Sequence, residues 1–60
     1  MSVESKVQQM QNLINLIKVE AVKFDAGNNA AGTRVRKGMM EIKRLAQEVR
    51  EEVTAVKAAK

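Results

Sequence analysis

The side chains able to do chemistry in this sequence are almost all cationic. Positions 34 to 44 hold Arg34, Arg36, Lys37, Lys43 and Arg44 against a single acid, Glu41. There is no histidine and no cysteine, and the only hydroxyls are Ser2, Ser5, Thr33 and Thr54. Nucleophile–base pairs, the usual metal-ligand sets and a G-x-x-x-x-G-K-[ST] phosphate loop are all absent from the sequence. Glu51 and Glu52 are adjacent but read as solvated helix surface. The expectation is a protein with no catalytic residue, no metal site and no cofactor, and with too little mass to build a cleft for a small-molecule substrate. What a dense set of cations can do is hold an anion.

The stretch GNNAAGTRVRK, residues 27 to 37, brings those cations to the start of a helix. Exposed backbone N–H groups at a helix N-terminus favour negative charge, so cations there cost stability. A phosphate offsets that cost. Thr33, Arg34, Arg36, Lys37, Lys43, Arg44 and Arg50 are therefore the expected anion contacts. Each neutralised phosphate releases counterions, which makes such binding salt-sensitive and largely blind to base sequence. With no Trp or Tyr, and Phe24 expected in the core, there is no platform for stacking unpaired bases. Duplex DNA, gripped by its backbone, is the expected partner.

Two helices must position these groups. A composition with no proline, three glycines, one aromatic and abundant Ala, Lys, Glu, Gln, Val and Met predicts an all-α fold. In the first half Val3, Val7, Met10, Ile14, Ile17, Ala21 and Phe24 recur at alternating spacings of four and three, predicting a helix over about 3–26. Ser2 is the expected N-cap, with Glu4 in the first turn, and Gly27 the expected stop. Residues 27–29 form the turn, with Asn28 or Asn29 capping a second helix over about 30–57. Its stripe is Ala31, Val35, Gly38 or Met39, Ile42, Leu45 or Ala46, Val49, Val53 and Val56. A short turn between long helices makes an antiparallel hairpin, and residues 1–60 make one domain. Gly32 and Gly38, costly inside a helix, are read as sites of close helix approach, in preference to the alternative of a direct approach to phosphate.

On a helical wheel Arg36, Lys43, Arg50 and Lys57, seven apart, form one ridge beside the apolar stripe. Glu41, Glu48 and Glu52 fall on the other flank, and Lys37 and Arg44 project outward. The net charge of +4 comes wholly from residues 27–60, since the cations and anions of residues 1–26 balance. That asymmetry points to an anionic polymer or surface.

Sixty residues bury a small core, and without disulfides or a metal a partner subunit is the remaining support. Leu13, Leu16, Val19 and Val22 lie off the main stripe of the first helix. A homodimeric four-helix bundle would cover them, with Leu13, Leu16, Val19, Met39 and Ile42 as the expected oligomer interface. No apolar run approaches the roughly 20 residues that span a bilayer, and MSVESKVQQM lacks a signal-peptide pattern, so a cytoplasmic protein with no membrane partner is expected.

The stretch AGNNAAGTRVRKGMMEIKRLAQEVREE also resembles the conserved domain of bacterial linker-histone-like proteins, the family of the chlamydial histone-like protein. The matching positions are Gly27, Asn28, Ala30, Ala31, Arg34, Arg36, Lys37, Glu41 and Ile42. The likeness covers about residues 20–57. It implies a non-enzymatic, nucleoid-associated DNA-binding protein that helps compact chromosomes. Chlamydial members continue into a Lys- and Ala-rich tail, whereas this sequence ends at VKAAK, so the resemblance is to a short form. The alternative reading from the residues is a helical oligomerisation or adaptor module whose basic ridge meets an acidic protein.

Overall fold

A computed structural model describes residues 2–59; Met1 and Lys60, included in the expected single domain, lie outside the described residues. Two helices, α1 (Val3–Asp25) and α2 (Asn29–Ala59), fold back on each other as an antiparallel hairpin 50 Å long and about 15 Å across. α2 runs two residues further than its stripe implied, through the good helix formers Ala58 and Ala59.

Local chemistry sets the ends. The Ser5 N–H donates to Ser2 Oγ at 3.1 Å, which satisfies one orphan donor of the first turn. At the other end of α1 the Gly27 N–H donates to the Phe24 carbonyl (2.9 Å) and the Asn28 N–H to the Lys23 carbonyl (3.0 Å). These are the paired bonds of a Schellman stop, and Gly27 takes the left-handed φ of 109° that the stop needs. Asn28 then caps α2, its Oδ1 accepting from the Ala31 N–H at 3.2 Å.

The seam between the helices is built on two sockets. A Cβ on Gly38 would sit 2.5 Å from Ile17 Cγ1, and one on Gly32 would sit 2.7 Å from the Phe24 ring. Both glycines thus earn their helix-propensity cost by admitting a side chain from α1. Ile17, Ala31 and Leu45 are the buried apolar residues, with Val3, Met10, Val35, Ile42 and Val49 half-buried along the same line.

The seam of α1 is rotated from the expected stripe. Lys6, Leu13 and Glu20 are half-buried, while Val7 and Ile14 are exposed, Ile14 by 42%. Phe24, expected in the core, is 48% exposed because it lies over Gly32 at the open tip of the hairpin. Val53 and Val56 are likewise exposed, α2 there running past the start of α1 at Val3.

Candidate nucleic-acid interface

The two helices divide the surface into long faces that the heptad period makes easy to follow. On one flank the rows are Lys6, Leu13, Glu20 from α1 and Arg34, Glu41, Glu48 from α2. Ion pairs knit this flank together. Lys6 Nζ lies 3.1 Å from Glu48 Oε1, and Arg34 Nε lies 2.6 Å from Glu20 Oε1, both bridging the helices. Arg44 joins Glu48 at 2.6 Å and also pairs with Glu41, and Lys23 meets Glu20 at 3.6 Å. The Arg34 guanidinium, aided by Lys23, holds the Glu20 carboxyl below the usual glutamate range. The Arg44 guanidinium does the same to Glu41, and Lys6 with Arg44 to Glu48. Glu41 and Glu48 in turn raise the pKa of Arg44.

The outward back of α2 is different. Arg36, Lys37, Lys43 and Arg50 are all exposed, and among the described residues none has a carboxylate within 4 Å. Arg36, Lys43 and Arg50 are seven apart, about 10 Å per step along the axis, so they span about 21 Å on one line. Exposed Thr33 and Lys37 lie beside the upper end of that line. The first turn of α2 contains no acidic residue, so its free N–H groups are not neutralised within the chain.

The expected contact set is therefore split. Thr33, Arg36, Lys37, Lys43 and Arg50 share the outward back of α2. Arg34 and Arg44 are half exposed but tied to Glu20 and to Glu41 and Glu48. Sequence reasoning missed Lys6 and Glu20 as the counterparts of α2. The signal available was their spacing: with Ile17 set opposite Gly38, residues whose numbers sum to about 54 face each other.

The expected oligomer set divides as well. Leu13 and Ile42 are half-buried within the hairpin, whereas Leu16, Val19 and Met39 are exposed. Among the described residues no group of three acidic, histidine or cysteine side chains converges on a metal position. Open depressions lie at the hairpin tip, around Phe24, Gly32 and Arg36, and on the back of α2, around Met40, Lys43 and Gln47. No described helix is long and apolar enough to cross a membrane.

A small all-α hairpin with most of its unpaired cations drawn up along one helix is the class of molecule these features define. The chain matches the family of the histone H1-like protein Hc1 over residues 4–59 and belongs to it. No curated protein and no solved structure matches it.

Proposed function

We propose that this protein binds duplex DNA in the nucleoid through the phosphate backbone, with little regard to base sequence, and that it works as a homo-oligomer without catalysing a reaction. Membership of a histone H1-like family supports DNA as the partner. The observation that carries the reading is the row of unpaired cations Arg36, Lys43 and Arg50, with unpaired Lys37 beside its upper end, on the exposed side of α2. Every other α2 cation between residues 29 and 50 is satisfied within the chain. A row left unsatisfied on a straight helix is free to exchange its counterion atmosphere for phosphates.

The absence of a stacking platform for unpaired bases follows from the residue types. There is no Trp or Tyr, and the one aromatic, Phe24, rests on Gly32 at the hairpin tip, away from the Lys43–Arg50 stretch. Gln47, on the same face, has its amide engaged, donating to Glu51 at 3.0 Å.

The test is a duplex-DNA binding titration of a variant carrying R36E, K43E and R50E. These positions are exposed and unpaired, so the helical circular-dichroism signal should persist while affinity falls on the order of 100-fold or more. Retention of wild-type affinity would remove this face from the reading. Loss of DNA binding by the wild-type chain itself near physiological salt, with capture of an acidic protein instead, would favour the adaptor alternative.

A further inference from the structure

The flank opposite the ion pairs carries two heptad rows of apolar residues. Val7, Ile14 and Ala21 come from α1; Met39, Ala46 and Val53 come from α2. In an antiparallel hairpin these rows fall on the same side, because the opposite turn of each helix is occupied by the pairs Lys6–Glu48 and Glu20–Arg34. Val7, Ile14, Met39 and Val53 are exposed, and half-buried Ala21, Val35 and Ala46 connect them to the seam. No ion pair among the described residues lies on this flank.

Area sets the size of what can cover it. The chain exposes 4810 Å². A compact monomer of 6.7 kDa is expected to expose about 3,900 Å². The excess of about 900 Å² is that of a rod 50 Å long and is spread over its whole surface. It is of the order of the roughly 800 Å² per partner that a standard stable interface buries, so a second copy of this chain is large enough to cover one full flank.

We propose that this flank, the face of Val7, Ile14, Met39, Ala46 and Val53, is the self-association surface, and that its occupant is the same face of a second copy. The inference rests on the homo-oligomeric reading above and gives it a location. Two hairpins packed by this flank form a four-helix bundle in which each helix buries both its seam and its apolar row. The ion-paired flanks stay outside, and Arg36 and Lys43 lie at the rim of each copy, so that the assembly presents two cation rows. Leu16, at 67% exposure, and Val19 lie instead on the outer back of α1. They form no second row with α2 and stay at the surface.

The test is sedimentation equilibrium at micromolar concentration, run with the wild type, I14E/M39E and L16E/V19E. The wild type and L16E/V19E should sediment as a dimer or higher multiple. In I14E/M39E the association midpoint should rise on the order of 100-fold, since two carboxylates per copy would be buried unpaired. Dissociation of L16E/V19E with I14E/M39E unaffected would overturn the location and leave the homo-oligomer standing. A monomeric wild type would overturn the homo-oligomer itself. If I14E/M39E loses its helical signal, single-cysteine variants decide, the chain having no native cysteine. A short bismaleimide should then link copies through Ile14→Cys and not through Leu16→Cys, and the reverse pattern would overturn the location.

Discussion

The two long flanks of this hairpin are built from the same heptad geometry and differ by one residue in register on α1 and by two on α2. On one, Lys6, Leu13 and Glu20 face Arg34, Glu41 and Glu48, and the charges are consumed by one another. On the other, Val7, Ile14 and Ala21 accompany Met39, Ala46 and Val53; Ala21 and Ala46 are half-buried at the edge of the seam, and the four larger side chains are exposed. The difference teaches that a single hairpin can choose which of two candidate stripes it encloses. The choice falls on the stripe that lets Ile17 and Phe24 enter the glycine sockets and lets two carboxylates find partners across the seam. The more apolar stripe is left at the edge of the seam, with its larger side chains open to solvent.

The most severe way to disturb that choice is to close a socket. Gly38→Ala raises helix propensity by about 1 kcal/mol, yet its Cβ would meet the side chain of Ile17, which is only 6% exposed and has no room to retreat. We expect a net loss of about 1–2 kcal/mol in denaturant unfolding, as for other overpacked cores. Gly32→Ala is the matched control. Its obstacle is the half-exposed Phe24 ring, which can swing toward solvent, so its effect should be within about 0.5 kcal/mol of zero.

The helices, their caps and their turn were legible in the sequence because each depends on a few neighbouring residues: Ser2, Gly27 and Asn28 do locally what their chemistry allows. Close packing at Gly32 and Gly38 was legible for a different reason, the cost of a glycine inside a helix. The seam of α1 was not. Val3, Met10, Ile17 and Phe24 belong to both candidate stripes, and the positions between them decide. Hydrophobicity selects Val7, Ile14 and Ala21, whereas partners some 14 to 42 residues away, Arg34 and Glu48, select Glu20 and Lys6. Periodicity within one helix contains no information about those partners. The basic row was visible as a spacing of seven, but the sequence alone did not separate the free cations, Arg36, Lys37, Lys43 and Arg50, from the paired ones, Arg34 and Arg44.

Acid should loosen the charged flank and spare the apolar one. The pKa values of Glu20, Glu41 and Glu48 are lowered in the folded chain, chiefly by Arg34, Arg44 and Lys6 respectively. Their contribution is therefore complete above the unfolded value of about 4.3 and is lost as pH falls through the lower folded values. The melting temperature should hold level from neutral pH down to about 5 and decline below about 4. In an E20Q/E48Q variant that acid decline should be shallower, and an unchanged decline would mean that other groups carry it.

The smallest expected effect sharpens the division between free and tied cations. R34Q/R44Q removes two positive charges from α2, as many as R36Q/K43Q does. Because Arg34 and Arg44 are held by carboxylates, the first pair of changes should weaken duplex-DNA affinity severalfold less than the second. Equal losses would show that the intramolecular pairs open freely for DNA.

The most direct test of the central claim is the salt dependence of duplex-DNA binding by the wild-type chain, measured on two duplexes of unrelated sequence. Four phosphate contacts per copy, from Arg36, Lys37, Lys43 and Arg50, predict that log K falls against log[salt] with a slope of about −3.6 per copy, the same for both duplexes. A slope near zero, or an affinity that differs strongly between the two sequences at one salt concentration, would contradict binding through the phosphate backbone.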